Sequence, residues 1–206
     1  MNTGNVVDPL QHRTARRFTR PSPLFRWCEQ RGLFARPGYA LVFGAGLLVE
    51  ARALSDMGWT VDALETPASL EARRELYEEF DVRPRSRVLT GLSSARPSYR
   101  IIVVTHVLEF VPSPRERSKL LHDLGARLSV SGRLLLSLRG WSDVLASKIQ
   151  KRMGDGVTTG LGTWVRGYSI PEALDLVHQA GLAAVESMHG PRAKGPEQVR
   201  MVCQRT

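Results

Sequence analysis

Apolar and polar positions alternate in blocks along this chain, and the blocks change period. Tyr39 to Phe43 (YALVF) is a short, nearly continuous apolar run, the pattern of a strand buried on both faces of a parallel sheet. Gly44-Ala45-Gly46 is a tight turn. Residues 47–57 predict a helix with Leu47, Leu54 and Met57 among its apolar positions, stopped by Gly58. Thr60 to Leu64 predicts a second strand ending at Glu65, residues 68–80 a second helix after Pro67, and Arg87 to Thr90 a weak third strand. Arg100 to Thr105 (RIIVVT) is a strong fourth strand. A helix is predicted over 114–129, with Leu120, Leu121, Leu124 and Leu128 on one stripe. Ser131-Gly132 turns the chain into a fifth strand, RLLLSL. Residues 170–180 read as a helix capped by Ser169, with proline in its first turn and Gly181 after it. Strands over 183–188 and 198–203 close the pattern, joined by a long loop, HGPRAKGPE.

Strands alternating with helices imply a doubly wound α/β fold around a mainly parallel, seven-stranded sheet. The expected domain occupies residues 39–206. Residues 1–38 precede it as a basic arm (1–20) and a short amphipathic helix in PSPLFRWCEQRGLF, where Leu24, Trp27, Cys28 and Leu33 fall near helical spacing. The glycine-rich insertion 141–168 admits two readings. Its Trp141, Lys148, Lys151, Arg152, Trp164, Arg166 and Tyr168, with the arm and the Phe25/Trp27 helix, suit a lid over a planar or anionic substrate. Alternatively, Val144 to Met153 is an amphipathic helix packed on the core.

Composition narrows the class. The chain has 206 residues, 42% of them hydrophobic and 24% charged, which is enough for one ordinary globular core. No apolar run approaches the roughly 20 residues of a membrane span, and the first 20 residues lack the apolar centre of a secretory signal. Two distant cysteines, Cys28 and Cys203, exclude a disulfide framework and a cysteine-built zinc site. A reducing, cytoplasmic setting is expected, with no membrane partner. The net charge of +9 would help an anionic partner to bind. Only four of the 29 basic residues are lysines, however, and the arginines are scattered outside Arg13, Arg16, Arg17 and Arg20. A nucleic-acid partner therefore rests on charge alone.

The chemistry concentrates where strands end. Glycines at the first strand–helix turn (Gly44, Gly46) let a ligand approach the backbone, and the helix amino-terminus adds positive character. Glu65 follows Gly44 by 21 residues, at the end of the next strand. An acid there can accept hydrogen bonds from both hydroxyls of an adenosine ribose. A dinucleotide fingerprint would want Gly or Ala where Val49 stands, which disfavours a nicotinamide dehydrogenase.

The stretch Tyr99-Arg100-Ile101-Ile102-Val103-Val104-Thr105-His106-Val107-Leu108-Glu109-Phe110-Val111 resembles the fourth strand and following "vLEHv"-like turn of the class I S-adenosylmethionine (SAM) methyltransferases. Gly132 to Leu136 is similar to that family's entry into strand five. Trp164 to Ser169, with Ala180-Gly181-Leu182, is similar to its late region. The resemblance spans about residues 39–204 and implies SAM as cofactor. It implies that Gly44, Ala45 and Gly46 lie under the methionine part and that Glu65 holds the ribose. Thr66, Leu92 and Ser93 would flank the adenine, and Thr105 and His106 would face the methyl donor and acceptor. His106 is the expected catalytic base, with Glu109 on the same turn as a second candidate. The sequence departs from the family pattern at Val42, Leu48 and Arg100, and carries no acid in Gly91 to Arg96. The family implies transfer of a methyl group to a small-molecule or biosynthetic-intermediate acceptor. The alternative is a non-catalytic subunit of this fold supporting a protein partner, which predicts an occluded cofactor pocket. No Asp/Asn-Pro-Pro-aromatic run, Pro-Cys nucleophile or metal-spaced cluster is present.

Overall fold

Parallel strands need long crossovers, and this chain supplies helices for them. The computed structural model describes residues 20–146, 148–188 and 198–206; the basic arm before Arg20 and the loop 189–197 lie outside the described residues. The elements are α1 (Pro23–Gln30), β1 (Tyr39–Phe43), α2 (Val49–Asp56), β2 (Thr60–Leu64), α3 (Pro67–Glu71), α4 (Arg74–Asp81), β3 (Ser86–Leu89) and β4 (Tyr99–Thr105). They continue as α5 (Pro114–Gly125), β5 (Leu128–Arg139), α6 (Trp141–Leu145), β6 (Ile149–Met153), β7 (Gly156–Thr159), β8 (Trp164–Val165), α7 (Ile170–Gln179), β9 (Leu182–Met188) and β10 (Gln198–Arg205).

Seven strands form one sheet in the order β3-β2-β1-β4-β5-β10-β9. Pairing is parallel from β3 through β5, and only β10 runs against its neighbours. Strand order therefore reverses between β1 and β4, which places the ligand crevice of a doubly wound sheet over their carboxyl ends.

Alternation sorts the strand residues onto two buried faces. Leu41, Phe43, Ile102, Val104, Leu134 and Leu136 face the layer holding α5 and α7. Ala40, Val42, Val61, Ala63, Ile101, Val103, Leu135 and Val202 face the layer holding α1, α2 and α4. Helix α1 belongs to that second core: Leu24, Phe25 and Cys28 are buried in it, and Ser22 Oγ accepts from Phe25 N to cap it.

Beneath the site, β2 carries a fully buried acid. Asp62 is held by Arg87 Nε and Nη2 (2.8 and 2.6 Å), by the Tyr99 hydroxyl (2.6 Å) and by Arg96 (3.3 Å). Burial and this carboxylate push the Tyr99 phenol well above its ordinary range. The network ties β2, β3 and β4 together and supports the 92–96 turn, because Tyr99 Oη also accepts from Arg96 N at 2.7 Å.

Three expectations need correction. The helix expected over 68–80 is broken at Arg73, whose φ of −141° leaves the helical range; the second segment then buries Tyr77 and Phe80. The helix expected to reach 129 ends at Gly125, and Leu128 begins β5, because Arg127 O is taken by Tyr99 N at 2.7 Å and pulls the chain into the sheet. No helix spans Val144 to Met153. After the short α6, the insertion forms an antiparallel sheet β6-β7-β8, whose first hairpin turns at Gly154 (φ +61°). Its β-branched Val157, Thr158 and Thr159 favour strand.

Leu48 occupies a left-handed conformation (φ +60°) while being fully buried in the α1-side core. At such a position alanine keeps the backbone strain and loses the packing, whereas glycine relieves the strain, worth about 1–2 kcal/mol. Leu48→Ala should therefore destabilise more than Leu48→Gly, the reverse of the usual order, with both variants below wild type in urea unfolding. Burial also pushes both Cys28 and Cys203 thiols up to about 12. A thiol–disulfide reagent at pH 8 should accordingly label neither cysteine in the folded protein and both after denaturation.

Candidate active site

The crevice is built from three strand ends. The β1 end turns through Gly44 (φ +69°) and Gly46 (φ +55°), with Gly44 N and Ala45 N both donating to Leu64 O. At the β2 end, Glu65 is 4% exposed and its two carboxylate oxygens are divided. Oε2 accepts from Gly46 N at 3.0 Å and Oε1 from Thr66 N at 2.8 Å. Thr66 is at the same time the cap of α3, its hydroxyl accepting from Ser69 N. The Tyr77 hydroxyl donates to Gly46 O at 2.8 Å, so Gly46 is gripped on both its amide and its carbonyl. Burial and the nearby Glu65 carboxylate raise the Tyr77 phenol far above its ordinary value, keeping it a neutral donor.

The β4 end supplies the other wall. Phe43 pairs with Val104, so Gly44 and Thr105 lie side by side at the rim. His106 follows in a left-handed conformation (φ +56°), its amide donating to Ser137 O at 2.9 Å. That kink turns the imidazole toward Glu109, with Nδ1 2.9 Å from Oε1. Glu109 is fully buried, and Oε1 also accepts from Arg139 N at 2.6 Å. Arg139 in turn contacts Asp143 through Nε at 2.8 Å. Glu109 Oε2 has no hydrogen-bond partner among the described residues.

The two walls touch. A side chain at Gly44 would overlap the Val107 methyl group, which packs directly on this glycine. At Gly46, by contrast, a Cβ would meet nothing among the described residues closer than Gly44 O at 3.9 Å. The turn thus presents an open face beside Glu65. Leu92 and Ser93 stand in the turn after β3: Leu92 is buried in the core with its carbonyl held by Arg127 Nη2 (3.0 Å), and Ser93 is exposed.

The structure therefore joins Gly46, Glu65 and Thr66 by direct hydrogen bonds, ties Gly44 and Ala45 to Leu64 O of β2, and pairs His106 with Glu109. Leu92, Ser93 and Thr105 lie on the same rim. Three of the departures noted in the sequence, at Val42, Leu48 and Arg100, lie elsewhere. Val42 and Leu48 are buried on the α1 side of the core, and Arg100 stands at the opposite, amino-terminal edge of β4, its stem beside Gly38. Sequence reasoning missed Tyr77 and Arg139. No spacing marks Tyr77, which reaches Gly46 from a helix 31 residues on, and Arg139 contributes through its backbone amide.

The insertion docks on the β4 turn. Arg166 N donates to Glu109 O at 3.0 Å, and Tyr168 Oη to Leu108 O at 3.3 Å. Arg166 pairs with Asp155 (2.6 Å) and Glu172 (2.5 Å) and lies over the Tyr168 ring at 4.5 Å. Arg166, Asp155 and Glu172, with Trp141, Leu145 and Arg152, line a recess of about 340 Å³. Trp164 and Tyr168 are buried, so the planar surface facing this recess is that of Trp141.

No protein-family model matches the sequence, and neither does any curated protein. Solved structures do resemble the fold. An S-adenosylmethionine-dependent methyltransferase from Clostridium acetobutylicum superposes with a TM-score of 0.69 at 10% identity, covering 95% of each chain. The CcbJ methyltransferase from Streptomyces caelestis gives 0.66 at 16% identity, over 100% of this chain and 98% of that one. A Burkholderia thailandensis 1,6-didemethyltoxoflavin-N1-methyltransferase, with bound 1,6-didemethyltoxoflavin and S-adenosylhomocysteine, gives 0.64 at 20% identity, over 89% and 77%. At these identities the likeness establishes the fold, that of the class I methyltransferases.

The clash at Gly44 gives a direct test of how the two walls meet. Gly44→Ala should cost about 2–4 kcal/mol, from left-handed strain plus overpacking. Val107→Ala in the same chain should recover part of that loss in urea unfolding, because it removes the overlap and leaves the strain.

Proposed function

We propose that this protein is a SAM-dependent methyltransferase acting on a small-molecule acceptor. The observation that carries the reading is the open Gly46 turn, gripped by Glu65 and Tyr77 at the switch point of a class I methyltransferase fold. A non-catalytic subunit would be expected to have this cradle filled, and the face of Gly46 is open among the described residues.

The residues fit the cofactor. Gly44, Ala45 and Gly46 would take its methionine part against bare backbone. Glu65, at the end of β2, would accept from the ribose hydroxyls. Thr66, Leu92 and Ser93 border the place for the adenine. When bound, SAM supplies an electrophilic methyl group. The protein's part is to align an acceptor with it and to exclude water, which is most of what such a transfer requires.

His106 stands at the end of β4, where the acceptor would lie. Its pairing with the buried Glu109 favours the tautomer with the proton on Nδ1, so that Nε2 is the basic nitrogen. In this reading His106 takes the proton from an acceptor hydroxyl or amine. Glu109, which is wholly buried, orients His106 and does not meet the acceptor. Among the described residues, no helix is long and apolar enough to cross a membrane.

Calorimetric titration with S-adenosylhomocysteine tests the reading. Wild type should bind in the micromolar range, and Glu65→Gln should weaken binding about tenfold or more, since a charge-assisted hydrogen bond is lost. An absence of binding by the folded chain would sink the proposal. His106→Gln should leave that affinity unchanged while lowering methyl transfer to a screened acceptor by about 10²–10⁴-fold. Glu109→Gln should lower transfer less, again with the cofactor affinity intact.

A further inference from the structure

Beyond the cradle and the His106 pair, the recess walled by the insertion has no role in the chemistry above. Neither the Gly44–Gly46 turn, Glu65 and Thr66 nor His106 and Glu109 line it. Its walls are held in place before any ligand arrives. Trp141 is pinned by its indole N–H, which donates to Glu172 Oε2 at 3.3 Å. The hairpin tip, Gly154 to Gly156, forms another wall, and its Asp155 is held by Arg166 at 2.6 Å and by the buried Arg117. A side chain at Gly156 would overlap the Trp164 ring, whose own indole N–H donates to Met153 O at 3.1 Å. The tip is therefore seated by bare backbone on one aromatic ring and by an acid on two guanidiniums.

Inside these walls a flat apolar surface stands beside an unpaired positive charge. Leu145 and Val157 join Trp141 as apolar lining. Arg152 pairs with Val157 across the hairpin, so the two side chains share a face, and both line the recess. Arg166 is engaged by Asp155 and Glu172 and lies on the Tyr168 ring at 4.5 Å, whereas it stands 5.9 Å from the Trp141 ring centre. Counting Arg117 behind Asp155, three guanidiniums stand against two carboxylates. The guanidinium with no ion pair among the described residues is that of Arg152.

A flat ring gains by stacking on Trp141, and a guanidinium at its edge selects a carboxylate, whose two oxygens match the planar fork. A cationic ring would meet Arg152 as a like charge and find both acids already paired. We propose that the recess is a binding site for a small aromatic carboxylate, separate from the cofactor cradle. Its volume of about 340 Å³ is at the small end for ligand sites and suits one or two rings. The site does not depend on the methyltransferase reading. It does adjoin the support of His106: Trp141 follows closely on Arg139, whose amide serves Glu109 Oε1, and Arg166 N donates to Glu109 O.

Calorimetry with 2-naphthoate and with 2-naphthamidine, the same ring carrying opposite charges, provides the test. Wild type should bind 2-naphthoate at one site per chain with a Kd of about a millimolar or tighter, and the amidine more weakly. Arg152→Gln should weaken 2-naphthoate binding about three- to tenfold, and Trp141→Leu about two- to tenfold. Arg152→Glu should reverse the preference, so that the amidine becomes the tighter ligand. Lys151→Gln, which removes the same charge from the other face of β6, should leave binding unchanged. Arg152 is exposed, so its variants should keep the wild-type melting temperature. Saturating S-adenosylhomocysteine should not displace 2-naphthoate. Unsaturable binding, an equal loss in Lys151→Gln, a preference that Arg152→Glu leaves unmoved, or displacement by S-adenosylhomocysteine would overturn the site. Naphthoate binding that depends on Arg152, in a chain that ignores S-adenosylhomocysteine, keeps this site and removes the methyltransferase reading; the converse result removes the site and keeps that reading.

Discussion

Two turns meet over the seam between β1 and β4, and they can do so only because Gly44 has no side chain. Val107 fills that space, and a Cβ there would overlap it. Everything the crevice offers depends on this close approach. It brings the Gly46 face, gripped by Glu65 and Tyr77, beside the rim on which Thr105 and His106 sit. The sheet reverses its strand order at the same seam, so neighbouring crossovers leave in opposite directions and open a cleft. A glycine permits the contact, and the topology makes the contact useful.

The second wall is held by a chain of polar groups that begins with strain. His106 adopts a left-handed backbone, which costs a non-glycine residue about 1–2 kcal/mol. The cost is met by its amide bond to Ser137 O and by the imidazole–Glu109 contact. Glu109 can be fully buried because Arg139 N and His106 both serve its Oε1, and Arg139 is tied to Asp143. The arrangement couples the β4 turn to the end of β5 and, through Arg166 N on Glu109 O, to the insertion. A substitution in the insertion can therefore disturb His106 without touching it.

The fold was legible because its signals are local. β1 and β2 occupy the residues their apolar runs predicted, and the capping box of Ser169 with Glu172 starts α7 where the sequence placed it. The errors arose where tertiary pairing overrode a local pattern. Leu128 continues the leucine stripe of α5, yet the backbone beside it is claimed by Tyr99 N. Val144, Ile149 and Met153 have plausible helical spacing, yet the glycines that follow allow a hairpin, and strand pairing takes Ile149 to Met153. At the site, the residues at strand ends could be named in advance because the periodicity fixes where strands stop. Tyr77 could not, since its approach to Gly46 depends on the break at Arg73. Nor could the burial of Glu109, which depends on a backbone amide 30 residues away.

The departures from the family pattern follow a related logic. A motif read along the chain treats each changed residue as a loss at the cofactor, whereas the fold buries Val42 and Leu48 in the α1-side core and sets Arg100 at the amino-terminal edge of β4. Arg100 stands at the edge away from the crevice, and the Leu48 side chain points into the core beneath α1. The remaining change, Val42, removes a polar side chain and places an apolar one in a wholly apolar layer, where an acid would itself need a partner. The polar work on this rim is done instead by Glu65, Tyr77 and the His106–Glu109 pair.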